Sequence, residues 1–311
     1  MSETIPLLIA PGPHPSPARK LPPGREAFRI AAVQHRWHPD PAEHEEALGA
    51  GIRRAAQAGA QLVCLQELTL SPYFAADPGG PRAGVVEPEE LPGGPTFAFA
   101  ARLAAETGAH VHASLFERAD GPDGLGFNTA IVVSPQGELL ARTRKLHIPL
   151  TAGYHEDRYF RPGPGEGQDP FPPVELGGAR LGLPTCWDQW FPEVARAYSL
   201  ADVEVLIYPT AIGSEPEHPE FDTQPLWEQV IRGNAIANGV FMVTANRIGE
   251  EPPLRFYGSS FICDPYGRKL VQAPRDEPAV IMAELDLDQR RDWLDLFPFL
   301  RTRRPDAYPH G

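Results

Sequence analysis

The sequence predicts an α/β protein with a single domain, and two observations support this class. Short apolar runs typical of buried strands alternate along the chain with segments whose apolar residues recur at helical spacing. No linker divides the alternating strands and helices into two groups between residues 26 and 293, which we therefore assign to one domain. The 311 residues are enough to bury a sizeable core without disulfides or a structural metal.

The individual elements follow from the same two patterns. Apolar runs between turn residues predict strands at 28–34, 61–66, 109–116, 128–133, from 138 onward, and at 179–185, 204–208, 240–245, 256–263 and 279–285. Helical spacing of apolar residues predicts helices at 41–58, 95–107, 191–201 and 224–238. Residues 71–94 and 145–168 are rich in proline and glycine, which predicts long loops of the kind that commonly carry function.

The two ends of the chain differ in composition from the middle. Residues 1–25 contain seven prolines and predict an arm that is disordered or lies at the periphery of the domain. Residues 294–311 combine proline with aromatic residues and predict an extended tail. We expect such a tail to contribute to contacts between subunits.

Composition argues against several classes of function. The chain has 28 lysines and arginines against 41 aspartates and glutamates, a formal net charge of −13, whereas nucleic acids and anionic membranes attract a basic surplus. No stretch approaches the roughly 20 apolar residues of a membrane span, and the N-terminus lacks the apolar region of a secretory signal. We therefore expect a cytoplasmic protein that binds neither nucleic acid nor membrane.

The three cysteines, Cys64, Cys186 and Cys263, are too few for a disulfide framework and too far apart for a zinc site. No histidine cluster is completed by a carboxylate or a cysteine, so we expect neither a metal nor another cofactor. Cys186 follows a predicted strand and shortly precedes a predicted helix. Backbone N–H groups at such a turn favour a thiolate and can hold an oxyanion. Position alone leaves open the commoner role of a buried structural cysteine, which we assign to Cys64 and Cys263.

Two charged residues lie at the ends of predicted strands. Glu67 directly follows a buried strand, where an unpaired carboxylate is costly to desolvate, and it is a candidate general base. An exposed loop glutamate fits the position equally well. Lys145 ends a strand within a basic stretch, for which a solvated sheet edge is the simpler interpretation. If Lys145 turns inward, its ammonium is placed to bind an oxyanion and to lower the pKa of the Cys186 thiol.

The order Glu67, Lys145, Cys186 resembles the Glu–Lys–Cys triad of the nitrilase superfamily of carbon–nitrogen hydrolases. The resemblance runs from about residue 28 to the C-terminus and includes motifs around each of the three residues. The matching motifs are Gln66-Glu67-Leu68, Arg144-Lys145-Leu146-His147-Ile148-Pro149, Cys186-Trp187-Asp188-Gln189-Trp190-Phe191-Pro192-Glu193, Tyr208-Pro209-Thr210-Ala211-Ile212-Gly213-Ser214-Glu215-Pro216, Ala245-Asn246-Arg247-Ile248-Gly249 and Phe256-Tyr257-Gly258-Ser259-Ser260-Phe261. Together they resemble the N-carbamoylputrescine amidase branch.

The resemblance implies an α-β-β-α sandwich and a homo-oligomer assembled from dimers. It implies hydrolysis of a non-peptide C–N bond through a thioester on Cys186, with Glu67 as the base. It also implies a fourth catalytic residue that holds Lys145, and Glu156 matches that motif. The branch implies N-carbamoylputrescine as substrate. A ureido acid, another aliphatic amide, a nitrile and a non-catalytic scaffold remain as alternatives.

Relatives that act on N-carbamoyl-D-amino acids carry paired arginines after the nucleophile, which suit a carboxylate. Asp188 and Gln189 stand there instead, so we expect Asp188 to meet a cation or a hydrogen-bond donor and the substrate to be a carbamoylated amine or amide. Acidic residues elsewhere are candidates for an ammonium subsite, while two arginines keep a carboxylate substrate open. The predicted substrate contacts are Trp187, Asp188, Thr210 and Ala211, the further acidic candidates are Asp77, Glu87, Glu89, Glu90 and Glu215, and the arginines are Arg158 and Arg247.

Overall fold

Two large β-sheets lie face to face between two layers of helices in the computed structural model, which describes residues 5–80, 86–151 and 153–308. The helices are α1 Pro41–Gln57, α2 Pro95–Thr107, α3 Pro192–Leu200, α4 Gln224–Asn238 and α5 Asp288–Leu296. The strands are β1 Leu7–Ile9, β2 Phe28–Gln34, β3 Leu62–Cys64, β4 His110–Glu117, β5 Phe127–Val133, β6 Leu139–Arg144, β7 Val174–Leu176, β8 Ala179–Gly182, β9 Val205–Pro209, β10 Phe241–Ala245, β11 Ile248–Glu251, β12 Leu254–Tyr257, β13 Phe261–Cys263, β14 Lys269–Gln272 and β15 Ala279–Leu285.

The first sheet has seven strands in the order β1-β15-β2-β3-β4-β5-β6, and the second has six in the order β14-β13-β10-β9-β8-β7. Strands β11 and β12 form a separate antiparallel hairpin. One apolar core fills the space between the two large sheets, a second lies under α1 and α2, and a third lies under α3 and α4. The predicted α-β-β-α sandwich is therefore confirmed.

Strand β2 shows how the sequence builds these layers. Successive side chains of a strand point to opposite faces of the sheet. Ile30 and Ala32 accordingly pack into the core between the sheets, whereas Ala31 and Val33 pack against α1 and α2. Both faces are covered, which explains why the strand is continuously apolar from Ile30 to Val33 rather than alternating.

One predicted strand, 256–263, is divided in the structure between β12 and β13. Gly258 and Ser259 both have a positive φ, 53° and 58°, which ends the extended conformation and turns the chain into the second sheet. Three short edge or hairpin strands, β7, β11 and β14, and the polar helix α5 were not predicted, because each is brief or lacks a sustained apolar period.

Residues 5–25 were expected to be either disordered or peripheral; they are ordered and include an edge strand of the first sheet, so the disordered alternative is wrong for them. Strand β1 pairs in parallel with β15, with Leu7 opposite Val280. Arg19 donates to Asp286 at 2.6 Å and to Asp292 at 2.8 Å, which ties the following proline-rich stretch to α5 and the turn before it. The prolines are tolerated because they flank a strand at the edge of its sheet, where a missing N–H donor costs little.

The C-terminal segment is also less extended than predicted. Helix α5 continues to Leu296, past the predicted start of the tail at 294, and the chain then turns back on itself. The Trp293 ring lies 4.9 Å from the Phe297 ring and 6.3 Å from the Phe299 ring. Among the described residues, no helix combines the length and the apolar character needed to cross a membrane.

Candidate active site

Four residues predicted from the sequence meet at one buried point near the strand ends. Glu67 follows β3, Lys145 follows β6 and Cys186 follows β8, while Glu156 lies in a short 3₁₀ turn of the irregular segment after β6. Glu67, Lys145 and Glu156 are at most 1% exposed, and Cys186 is 6% exposed. Both sheets thus contribute: the two carboxylates and the lysine come from the first sheet and its loops, and the thiol comes from the second.

Lys145 is the centre of this group. Its Nζ donates to Glu67 Oε1 at 2.9 Å and to both Glu156 oxygens at 2.9 and 2.7 Å. Burial opposes the ammonium charge and lowers the pKa of Lys145, but the negative charges of Glu156 and Glu67 outweigh it and hold that pKa above its ordinary value. Lys145 therefore carries a positive charge although it is buried. The interpretation of Lys145 as part of a solvated sheet edge is wrong.

Glu67 is held from three directions. Asn128 Nδ2 donates to Oε1 at 2.7 Å, and the backbone N–H of Ala211 donates to Oε2 at 3.0 Å, in addition to the bond from Lys145. These donors compensate the burial of the carboxylate. They also fix its orientation, which a proton-transferring group requires.

Glu156 is paired with Lys145 and with a residue that no sequence motif indicated. Tyr73 Oη donates to Glu156 Oε1 at 2.7 Å, and the Tyr73 side chain is itself buried. Burial raises the pKa of Glu156, and the Lys145 ammonium opposes this rise. Tyr73 lies in the long predicted loop, where composition gives no signal of an inward-facing residue.

Cys186 has a backbone conformation that only a constrained site maintains. Its φ is 40°, in the left-handed region, which costs a non-glycine residue on the order of 1–3 kcal/mol. Burial and the nearby carboxylates of Glu67 and Glu156 raise the pKa of the thiol well above its ordinary value, although Lys145 and the Ala211 backbone oppose the rise. Burial and the two carboxylates thus oppose the thiolate that the turn was expected to favour, and a neighbouring base has to accept the thiol proton during attack.

Asp188 is a predicted substrate contact, but its carboxylate is bonded to neighbouring segments of the chain, and it is not among the described residues that line the cavity beside Cys186. Its carboxylate accepts from the backbone N–H groups of Thr185 at 3.1 Å, His147 at 2.9 Å and Leu146 at 3.4 Å, and lies 2.8 Å from the His147 ring Nδ1. It therefore fastens the Cys186 turn to the segment that follows Lys145. The spacing Thr185-x-x-Asp188 matches a capping box, which is the sequence signal that indicates this structural role.

A cavity of about 260 Å³ opens onto Cys186. Its lining residues are Tyr73, Pro149, Thr151, Tyr154, Glu156, Cys186, Trp187, Trp190, Ala211, Ile212, Glu215, Thr223 and Leu226. Trp187 and Ala211 are among them, as predicted. Thr210 is not; its hydroxyl donates to the Tyr208 carbonyl at 3.2 Å, so it supports the wall from behind. A larger cavity of about 450 Å³ lies nearby along residues 213–223 and contains none of the four central residues.

Comparison with known proteins places this arrangement in a family. The model of the family described as carbon-nitrogen hydrolase matches residues 29–295. The chain belongs to the carbon–nitrogen hydrolase family. The protein is accordingly an amidase-type carbon–nitrogen hydrolase, and the membership inferred from the motifs is confirmed.

Individual members of the family share most of the chain. An N-carbamoylputrescine amidase from Solanum lycopersicum is 37% identical over 287 residues, which cover 90% of this chain and 93% of the relative. A citrullinase from Francisella tularensis subsp. tularensis is 34% identical and covers 90% of this chain and 96% of its own. The crystal structure of a carbon–nitrogen hydrolase from Helicobacter pylori G27 superposes with a TM-score of 0.78 at 33% identity, covering 91% and 97% of the two chains.

The charges around the cavity of this hydrolase are of one sign. Two carboxylates line it, Glu156 beside Cys186 and Glu215 further along the wall, and no lysine or arginine is among the described lining residues. Glu156 is already paired with Lys145, whereas Glu215 accepts only a long bond, 3.4 Å, from Thr223 Oγ1. Burial raises the pKa of Glu215, and Thr223 and His218 oppose the rise. Glu215 is the one wall carboxylate without a described cationic partner.

The two arginines considered as carboxylate partners are not in the cavity wall. Arg247 is fully buried and bonded to Glu251 and to three backbone carbonyls. Arg158 is exposed and lies 3.6 Å from Asp157. The acidic residues of the 71–94 loop are likewise outside the described wall, and Glu89 is engaged with Thr96.

Proposed function

We propose that the protein hydrolyses N-carbamoylputrescine to putrescine, carbon dioxide and ammonia, a step of polyamine biosynthesis. The observation that supports this substrate most is Glu215, a carboxylate in the wall of an otherwise largely apolar cavity that begins at Cys186. An ammonium at the far end of an aliphatic chain complements it. The similarity to the tomato N-carbamoylputrescine amidase points to the same substrate class.

In the first half of the reaction, Glu67 takes the thiol proton as the Cys186 sulfur attacks the ureido carbon. The raised pKa of the thiol makes this proton transfer necessary. The Lys145 ammonium and the Trp187 backbone N–H stabilise the tetrahedral oxyanion. Glu67 then gives the proton to the leaving nitrogen, and the C–N bond breaks to leave an acyl group on sulfur.

In the second half, water attacks the thioester carbon with Glu67 again as the base. The C–S bond breaks and the proton returns to Cys186. The carbamic acid product decomposes, so that one substrate and one water yield one amine, one carbon dioxide and one ammonia. Glu156 keeps Lys145 pointed at the reacting oxygen throughout, through its paired bonds of 2.9 and 2.7 Å.

Replacing Glu215 with glutamine tests the amine subsite. We expect kcat/KM for N-carbamoylputrescine to fall about 10- to 100-fold, because the hydrogen bond to the substrate ammonium loses its charge. N-butylurea has the same ureido group and carbon chain without the amine, so its kcat/KM should change little. Glu217→Gln, which changes an exposed acid on the same segment that lines neither cavity, is the matched control and should affect neither substrate. An equal loss of kcat/KM on both substrates would show that Glu215 does not bind the substrate amine.

A citrulline-type ureido amino acid is the second candidate, because the citrullinase relative is nearly as similar as the plant enzyme. Its terminal ammonium also suits Glu215, but its carboxylate has no described cation in the wall. Steady-state ammonia release from N-carbamoylputrescine, citrulline and N-carbamoyl-β-alanine separates the candidates. We expect the highest kcat/KM for N-carbamoylputrescine, and a higher value for either acid would contradict the proposal.

We further propose that the enzyme is a cytoplasmic homo-oligomer and that residues 294–311 contribute to its subunit contacts. Leu296 and Phe297 are 48% and 53% exposed in the single chain and would be covered in an assembly. Light scattering after size exclusion should show a dimer or larger species. Leu296→Ser with Phe297→Ser should shift it toward the monomer, whereas Leu21→Ser, also exposed but outside this segment, should not. A monomeric wild-type protein would refute the assembly.

A further inference from the structure

Arg247 is a buried cation, and one of its nitrogens donates hydrogen bonds to the backbone of the loop that carries Glu67. Its Nη2 donates to the backbone carbonyls of Glu67 at 3.0 Å, Leu68 at 3.1 Å and Ser71 at 3.0 Å. The side chain is 0% exposed, and Nη1 donates to Glu251 Oε1 at 2.6 Å. The guanidinium therefore hydrogen-bonds directly to the main chain of Glu67, the proposed general base.

The backbone conformation that these hydrogen bonds stabilise is strained. Leu68, the residue after Glu67, has a φ of 50°, in the left-handed region that a leucine rarely adopts. Such a conformation persists only where the surrounding structure imposes it. Ser114 contributes through its hydroxyl, which accepts from the Leu68 N–H at 3.1 Å, and Arg247 binds the carbonyls on both sides of the Leu68 nitrogen.

Glu251 connects the ion pair to Glu156, the other carboxylate that binds Lys145. Its Oε2 accepts from the Tyr73 backbone N–H at 2.6 Å, and Tyr73 Oη in turn donates to Glu156 Oε1 at 2.7 Å. Glu156 then holds Lys145. The two residues of this ion pair lie directly before β11 and at its end, outside both large sheets. The pair is thus bonded to the segments that place Glu67 and Glu156 on either side of Lys145.

We propose that Arg247 and Glu251 are positioning residues for catalysis, which set the separation of Glu67 and Glu156 around Lys145 without touching the substrate. This inference rests on the proposed role of Glu67 as the base that activates Cys186. A displacement of about 1 Å in such a group is enough to cost roughly 100-fold in rate. Removing the pair should therefore reduce kcat rather than substrate affinity.

Arg290 provides a matched control because it is also a buried arginine that donates to backbone carbonyls, but those carbonyls do not belong to the segments that place Glu67 or Glu156. It is 7% exposed and donates to the backbone carbonyls of Asn238 at 2.9 Å, Gly239 at 3.2 Å and Ser199 at 2.8 Å, which lie at the ends of α3 and α4. If Arg247 only satisfied buried carbonyls, Arg247→Lys and Arg290→Lys should have the same consequences. If it positions Glu67, only Arg247→Lys should impair the chemical step.

The experiment compares Arg247→Lys, Glu251→Gln and Arg290→Lys at a temperature where all three are folded. We expect kcat to fall about 10- to 100-fold for Arg247→Lys and less for Glu251→Gln, with KM changed less than kcat and with Arg290→Lys near wild type. Glu251→Gln keeps the shape of the side chain and serves if Arg247→Lys does not fold. Equal kcat in Arg247→Lys and Arg290→Lys, or an unimpaired Glu251→Gln where Arg247→Lys fails to fold, overturns the inference.

The rate at which iodoacetamide alkylates Cys186 is measured in the same variants and needs no substrate. A misplaced Glu67 accepts the thiol proton less readily, so Arg247→Lys should be alkylated more slowly than Arg290→Lys. Alkylation therefore tests the positioning role of Arg247 separately from the proposed substrate, because a wrong substrate assignment leaves the difference in alkylation rate intact. Equal alkylation rates in Arg247→Lys and Arg290→Lys would by themselves refute the positioning role, and they would leave the substrate assignment untouched.

Discussion

Replacing Cys186 with alanine reduces turnover by at least about 10⁴-fold and leaves the protein folded, on the mechanism proposed above. The thiol is the only cysteine in the described cavity wall, and the thioester cannot form without it. The substitution removes one small polar atom and keeps a Cβ at a backbone that already tolerates one. We therefore expect the free energy of unfolding to change by no more than about 1 kcal/mol. Ammonia release and thermal unfolding measure the two quantities.

Cys263→Ala is the matched control for that result. Cys263 is fully buried in β13, away from the cavity, so its replacement should retain full kcat and lose stability through the space left in the core. Cys186→Ala should show the opposite pattern. Turnover near wild type in Cys186→Ala, once carried-over wild-type enzyme is excluded, would contradict the assignment of the nucleophile.

Replacing Lys145 with methionine should destabilise the fold as well as stop the reaction. Methionine matches the length of the chain but leaves Glu67 and Glu156 as two buried carboxylates without their shared cation. Breaking a buried ion pair in this way costs about 3–5 kcal/mol. Loss of the oxyanion's cation should lower kcat by about 10³-fold or more. Urea unfolding and ammonia release at neutral pH test both parts.

Lys269→Met is the control for charge removal, because Lys269 pairs with Glu228 at a half-buried surface position. Such a pair contributes about 1 kcal/mol or less, and kcat should be unchanged. If Lys145→Met is no less stable than Lys269→Met, the two carboxylates do not depend on Lys145 for their burial.

The stability of Lys145→Met should also depend on pH in a defined direction. Burial already raises the pKa of Glu156, and loss of the opposing ammonium raises it further. A carboxyl whose pKa is higher in the folded than in the unfolded state takes up a proton on folding, so stability rises as pH falls through that range. The stability gap between variant and wild type should therefore narrow from pH 7 to about pH 5. A gap that widens would contradict this charge assignment.

The apolar patterns of the sequence were sufficient to predict one α/β domain, whereas the sandwich and the four central residues were predicted from the family motifs. Glu67, Lys145 and Cys186 each follow a predicted strand, but position alone left a structural role open for each of them. The sustained apolar runs of β2, β5 and β15 fixed both the strands and their burial on two faces. Glu156 did not have even a positional signal, because a loop carboxylate follows no periodic pattern.

The remainder depends on contacts that no local pattern encodes. Arg247 lies 180 residues from Glu67 in the chain, and its role appears only when the β11–β12 hairpin packs against the loop after β3. Asp188 was assigned to the substrate because it follows the nucleophile, yet the turn points it at the chain beyond Lys145. The direction of a side chain in an irregular turn is set by tertiary packing, and neither composition nor spacing reports it.

Detection of a covalent intermediate on Cys186 tests whether this thiol is the nucleophile. The protein is mixed with N-carbamoylputrescine carrying a labelled carbonyl carbon, quenched in acid during turnover, digested and mapped by mass spectrometry. We expect the labelled acyl group on the peptide that contains Cys186, and no label on the peptides of Cys64 and Cys263 or in Cys186→Ala. Turnover that proceeds with no labelled Cys186 peptide at any quench time, or with the label on another residue, would contradict this expectation.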